Sequence, residues 1–457
     1  MLKPLERFSF FILLFLLFWI PIPLASNRAW AWSLFEVIVS LQTLFIIIAY
    51  KGSIPWTILK PVKWLLIPFG LFQIWTLLQI ISLPNLIVEW LSPNAAAIYH
   101  SINAPHFYLS LDREQSLISL LKGLAYTLVI FNAGLLITSA KRIKTVILIL
   151  IISATFQAFY GSLMVLLKIN VSPIFALPEV DISTGSFVYK NHLANYLMLV
   201  LTMGIGLIIT ELHSTPSRNW AVRLNRWVTA ILSVKMMIRL SLIIMVIALV
   251  MTRSRMGNSA FFATTVIGGF VALTLYKNRP RALTGLIISI LLIDTLIVGS
   301  LFGLEKVKQR LIDTSAQQES RDQVVIWGVD IIKDYPLTGT GAGSFYSIFP
   351  SYTQSDVGAY DHAHNEYLQF TIESGIPATL LLAASILYCL YQSISTIRNR
   401  HSNFMKGIAL GCFMAIVGML IHISVDFNLQ PPANTVTFIV ILVIACLVRV
   451  MPRVKAE

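Results

Sequence analysis

Two histidines, an asparagine and two glutamates crowd into residues 361–373, DHAHNEYLQFTIE, where a polar stretch gives way to a long apolar run. His364 is the residue type suited to general-base work, because an imidazole titrates close to neutral pH. Glu366, Gln369 and Glu373 follow at i, i+3 and i+7, which places them on one stripe of a helix. A carboxylate in an apolar helix, such as Glu373, needs to face a polar cavity or a partner, for example one of the arginines. Arginines border the same region: Arg253 and Arg255 lie in the tight turn MTRSRMGNS, and Arg321 precedes DQVVIWGVDIIKDY. Guanidinium groups bind anions such as phosphate, and a near-neutral base with several arginines bordering one long loop is a coincidence that points to a functional site. Each residue also has a plainer use. His364 can anchor a helix end at the interface, Arg253 and Arg255 can snorkel among lipid headgroups, and Arg321 can pair with Glu319 or Asp322.

The scaffold that must position these groups is a membrane bundle. The chain has 457 residues, 56% of them hydrophobic and 12% charged, with a mean hydropathy of +0.77, beyond what soluble domains carry. Apolar stretches of bilayer length recur at 7–25, 33–50, 62–82, 119–138, 144–167, 191–211, 235–252, 256–276, 283–303, 365–393, 406–425 and 433–450. They predict an all-α polytopic membrane protein of about twelve transmembrane helices. Residues 1–303 hold the first nine spans, 304–363 form one long loop, and 364–457 hold the last three. The first run could serve as a signal-peptide core, but its length and the spans after it favour a retained helix.

The formal charge of +13 sits in short clusters between spans, such as Lys141, Arg142 and Lys144, or Lys277, Arg279 and Arg281. This is the positive-inside pattern; it places both termini in the cytoplasm and accounts for the charge without nucleic acid. The loop at 304–363 and the turn holding Arg253 and Arg255 then face the outer, non-cytoplasmic side. That loop is longer than ordinary connections, the mark of a functional element. Within it, Val324, Val325, Trp327, Ile331, Ile332 and Tyr335 form a helical stripe opposite Asp322, Asp330, Lys333 and Asp334. The expectation is an amphipathic helix opened by a Ser320–Gln323 capping box and stopped by Pro336. Arg321 would then lie in the first turn, either gathering an anion with the free amides or simply pairing with a neighbour. The following GTGAGSF lacks the lysine of a nucleotide-binding loop and reads as a flexible turn. Cys389, Cys412 and Cys446 all fall in apolar runs without metal-ligand spacing, so neither disulfide nor zinc is expected. His422 and Asp426 read as helix-end partners.

Four segments together resemble a known family. HNEYLQFTIESGIPA is similar to the H-(N/S/Q)-x9-G-x-x-(G/T/Y) signature of the O-antigen ligase and O-antigen polymerase superfamily, with Ala378 standing at the last position. TGSFVYKNHLANYL resembles its G-x-F-x-x-x-N-H-x-A-x-Y-L helix start, SRMG its S-R-(G/M)-G turn, and RDQVVIWGVDIIKDYPLTGTGAGSF its loop helix. These cover roughly residues 184–382, and HISVDFNLQPP is similar as well. The resemblance implies a GT-C-like helical bundle in the bacterial inner (plasma) membrane, in contact with membrane lipids. It implies an enzyme that moves a glycan from undecaprenyl diphosphate to an acceptor hydroxyl, on a glycan or on lipid A core, at the periplasmic face. The transfer would be inverting and would use neither metal nor other cofactor. By motif, His364 would deprotonate the acceptor, and Arg255 and Arg321 would bind the diphosphate, with Arg253 and Lys190 as helpers. Asn365 and Glu366 would orient His364, while Asn191, His192 and Glu373 would support the site. A polymerase joining lipid-linked repeat units is the alternative within the class. A transporter of lipid-linked glycan or of anions is the alternative outside it, but the charges cluster at one face and the two halves show no repeat.

Overall fold

The structure is a computed structural model that describes residues 4–178, 181–210, 234–276, 315–356 and 358–452, together with Gly285 and Ile288. Twelve long helices lie within these ranges. They are α1 (Pro4–Trp19), α2 (Ala29–Ala49), α3 (Trp56–Ile80), α4 (Arg113–Leu136), α5 (Ala140–Leu166) and α6 (Lys190–Thr210). After them come α7 (Val234–Met251), α8 (Arg255–Leu275), α9 (Ser315–Asp334), α10 (Glu366–Asn399), α11 (Asn403–His422) and α12 (Pro432–Val450). Among the described residues the fold is helical, and nine helices are long and apolar enough to cross a membrane: α2 to α6, α8, and α10 to α12. The protein is an all-helical polytopic membrane protein.

The expected count of twelve spans is not reached among these residues. At 16 residues α1 extends only about 24 Å, short of a hydrocarbon core of about 30 Å. The helix α7 is apolar but is not among the nine, and Lys235 and Arg239 lie in its first turns. The span expected at 283–303 lies, apart from Gly285 and Ile288, outside the described residues.

Three helices form the centre. The spanning windows of α6, α11 and α12 are 89%, 78% and 83% buried, against 33–56% for the other six. Between α6 and α11 the backbones nearly touch: a Cβ on Gly206 would stand 2.6 Å from the carbonyl oxygen of Gly407. Close approach at small residues is how helices gain packing where lipid is as apolar as the side chains. The outer helices instead present large apolar residues such as Phe11, Ile48, Ile74 and Phe270, a surface suited to acyl chains.

The loop helix expected in 319–335 exists, as α9, and stops before Pro336. It begins at Ser315, however, so Ser320 and Gln323 do not cap it, and Arg321 lies inside the helix rather than in its first turn. The GTGAGSF segment is not a flexible turn either. It is pressed into a break in α10 at Gly375, where φ is +80° and ψ 164°. A broken helix leaves carbonyls without partners. Here the Thr340 amide donates to the Ile372 carbonyl (2.8 Å) and the Gly341 amide to that of Glu373 (3.0 Å). Trp75 Nε1 donates to Ser374 (2.9 Å), and the buried Gln79 amide bridges the carbonyls of Thr338 and Glu373. Glycine is demanded at this clamp, because a Cβ on Gly375 would meet the Leu337 oxygen at 2.3 Å and one on Gly339 the Glu373 carbonyl carbon at 2.4 Å.

Gly375→Ala is therefore expected to destabilise the protein by more than the about 1–3 kcal/mol of backbone strain alone. Gly52→Ala is the control, since its φ is also positive (+75°) but nothing lies within 4 Å of the added Cβ. Thermal unfolding of the detergent-purified variants checks this; equal transitions for the two would contradict the clamp.

Candidate active site

The helix α10 opens with Asn365 as its cap, whose side-chain oxygen accepts from the Leu368 amide at 3.1 Å. The residue before it, His364, sits in the left-handed region at φ +51°, a conformation uncommon for residues other than glycine. The turn joining α11 to α12, residues 423–431, is pinned against this start. The Glu366 amide donates to the Ile423 carbonyl (3.0 Å), and the buried Glu366 carboxylate accepts from the Leu429 amide (2.8 Å) and Gln430 Nε2 (3.0 Å). Glu366 thus holds two chain segments together.

That junction brings Asp426 and Phe427 beside the histidines. Phe427 is a hub: His364 and His192 each stand edge-on to it at 4.8 Å, His362 stacks at 4.5 Å and Tyr189 at 5.4 Å. Asp426 is buried, and its Oδ1 lies 3.8 Å from His364 Nδ1. At that separation the two attract without a formed hydrogen bond, and His364 Nδ1 is buried with no hydrogen-bond partner. Catalytic contacts are often this loose before substrate binds. The other oxygen of Asp426 accepts from Asn191 Nδ2 at 2.5 Å, and the same amide donates to the Tyr189 hydroxyl at 2.9 Å. Arg321 lies near enough to the Tyr189 hydroxyl to act on it electrostatically. A line of polar neighbours therefore runs from Arg321 past Tyr189, Asn191 and Asp426 to His364, hydrogen-bonded between Tyr189, Asn191 and Asp426.

The charge states along this line follow from its surroundings. Burial opposes ionisation of Asp426, yet His364, His422, His192 and the Phe427 amide together hold its carboxyl below the usual carboxylate range. It is an anion at neutral pH. Burial, with the Asp426 charge adding to it, pushes the Tyr189 phenol up to about 12, although Arg321 works the other way. Tyr189 is therefore a neutral relay. Burial pushes His362 down to about 4, so that it is uncharged at neutral pH; its Nδ1 lies 3.1 Å from Gln369 Nε2. An imidazole steadied by a carboxylate on one nitrogen can accept a proton on the other, and a guanidinium can meet negative charge as it develops.

Of the residues singled out by sequence, His364, Asn191, His192 and Arg321 come together here. Asn365 and Glu366 adjoin His364 but bond to backbone and to Gln430; the side chain set beside the imidazole is Asp426. Glu373 has no arginine among its hydrogen-bond partners: its carboxylate accepts from the Gly343 amide (2.9 Å) and Gln369 Nε2 (3.0 Å), within the clamp. Lys190 starts α6 and Arg255 starts α8, behind its cap Ser254. Gly257 packs directly on Ala194, and the Ser183 amide donates to the Met251 carbonyl, so Arg253 and Arg255 stand at the same end of the bundle as His192. Both arginines are exposed. The three cysteines are buried, and the sulfurs of Cys389 and Cys446 lie 3.5 Å apart.

Phe427, Tyr189 and His362 are neighbours of the site that sequence reasoning did not single out, and Asp426 it read only as a helix-end partner. For Asp426 a signal existed, a carboxylate in a short turn four residues after His422, at the end of the bundle where the histidine and arginines gather.

Fold and site define a polytopic helical membrane protein with an imidazole, carboxylate and guanidinium centre at one end of its bundle. Residues 240–383, about a third of the chain, match the family model described as O-antigen ligase. The matched segment holds Arg253, Arg255, Arg321 and His364, whereas Asn191, His192 and Asp426 come from outside it. No curated protein matches the chain.

Proposed function

We propose that the protein is a ligase-type glycosyltransferase that moves a glycan from undecaprenyl diphosphate to an acceptor hydroxyl at the periplasmic face of the inner membrane. The observation that carries this reading is the juxtaposition of His364 with Asp426, which is joined through Asn191 to Tyr189, with Arg321 near the Tyr189 hydroxyl. The Asp426 carboxylate holds the imidazole and balances the charge that forms on it. His364 takes the proton from the acceptor hydroxyl, whose oxygen attacks the anomeric carbon. The bond from that carbon to the diphosphate breaks, and its electron pair leaves on the phosphate oxygen. Attack opposite the leaving group inverts the anomeric configuration. Arg321, supported by Arg255, Arg253 and Lys190, meets the growing negative charge, which counts for more in a poorly hydrated site than in water.

Arg321→Lys is expected to lower transfer roughly tenfold, because a point charge cannot reproduce paired contacts to phosphate. Assay of the purified variant checks this, and full activity would remove Arg321 from the diphosphate site.

Deletion of the gene followed by gel and mass analysis of surface glycans tests the reading as a whole. Long unattached chains on the carrier lipid are expected of a ligase. Single unpolymerised units would show the polymerase alternative, in which the same centre uses a second lipid-linked unit as acceptor. Glycan trapped on the cytoplasmic leaflet would show a transporter and reject both.

A further inference from the structure

We propose that a half-open cavity between Tyr346 and Tyr360 is the subsite for a sugar ring of the acceptor; this deepens the transferase reading and rests on it. The cavity measures about 300 Å3 and is lined by Tyr346, Phe349, Thr353, Ser355, Asp356 and Tyr360, among others. That is the lower end of the range for small-molecule sites, suited to a sugar ring and too small for a polyprenyl chain. Every lining residue belongs to the segment between α9 and α10, and no membrane-spanning helix contributes to the wall.

The wall has the chemistry of a carbohydrate site. Phenol and phenyl rings offer flat apolar faces for the CH-rich face of a pyranose, while Thr353, Ser355 and Asp356 offer hydrogen-bonding groups to its hydroxyls. Neither lysine nor arginine lines it, and its one charged side chain is the Asp356 carboxylate. A diphosphate would be repelled there, so the donor's anionic end belongs with Arg321. The wall is also built rather than incidental. Phe349 is buried and stacks on Phe345 at 4.9 Å, Tyr352 donates to Asp334 at 2.5 Å, and the Gly358 amide donates to Asp356 at 3.0 Å.

Tyr360 connects this cavity to the centre. Its ring forms part of the wall and also stands edge-on to His364 at 5.9 Å. Ser355 donates to Gln323 at 3.3 Å, tying the rim to the helix that carries Arg321. His364 thus touches the cavity wall through Tyr360 and the polar line to Arg321 through Asp426. A sugar seated in the cavity would present a hydroxyl past Tyr360 to the imidazole, while the diphosphate is held along the other approach.

The test is saturation-transfer NMR on the full chain in detergent micelles, with the methyl glycosides of glucose, galactose and N-acetylglucosamine as probes. At least one is expected to bind, and the signal is expected to fall about fivefold or more in Tyr346→Ala and in Asp356→Asn. Both side chains are exposed, and an unchanged thermal transition shows that the variants fold. Inorganic pyrophosphate is expected to leave the glycoside signal in place. The proposal is overturned if none of the glycosides binds the unmodified chain, if both variants bind as well as it does, or if pyrophosphate displaces the sugar. Failure of the transferase reading looks different: glycoside binding would persist in a chain that transfers no glycan in cells, which leaves a sugar site but removes its role as acceptor site.

Discussion

Replacing His364 with alanine is expected to reduce glycan transfer by at least about a hundredfold, the low end of what a positioned general base contributes. The protein should still reach the membrane in normal amount. The side chain is partly exposed, its Nδ1 makes no hydrogen bond, and its packing is limited to ring edges against Phe427 and Tyr360. Two readings of His364 separate here. An interfacial anchor would show as reduced protein level with proportionate activity, whereas a base would show as normal level with almost no product. Quantitative blotting beside a transfer assay distinguishes them, and near-normal transfer would reject the catalytic role.

Asp426→Asn should be the next most damaging change, on the order of a hundredfold in kcat, since neutralising the carboxylate that steadies a catalytic imidazole removes both orientation and charge balance. Asparagine keeps an oxygen for Asn191 or the Phe427 amide, so the turn at 423–431 should hold. Glu366 still fastens that turn through Leu429 and Gln430. The distinguishing readout is a split between kinetic constants. A positioning carboxylate lowers kcat and leaves the KM for the lipid-linked donor nearly unchanged, while a merely structural one lowers the amount of folded protein. Loss of folded protein with unchanged kcat per folded molecule would contradict the role.

Much of this architecture is legible in the chain because it is governed by local pattern. Apolar runs of bilayer length mark α2 to α6, α8 and α10 to α12, and the stripe from Val324 to Tyr335 marks the loop helix. Gly375 with Pro377 marks the break in α10. His364 and Arg321 stand out because their types and their bordering of one loop are unusual in so apolar a sequence. What is not legible depends on contacts between distant segments. GTGAGSF looks flexible when taken alone, and becomes rigid only because Gly339 and Gly341 lie against the carbonyls that Gly375 exposes. Asp426 looks like a helix-end partner until Glu366 pins its turn beside His364. Arg321 looks like the first turn of a helix because Ser320 and Gln323 imitate a cap, whereas the helix continues back to Ser315.

The anomeric configuration of the product tests the central claim most directly. The purified chain would be given lipid-linked glycan extracted from the deletion strain together with its acceptor, and the new linkage assigned by NMR while release of undecaprenyl diphosphate is followed. A single displacement assisted by His364 predicts a linkage inverted relative to the donor, with one carrier released per bond formed and both lost together in His364→Ala. A retained configuration, or release that continues unchanged in that variant, would contradict it.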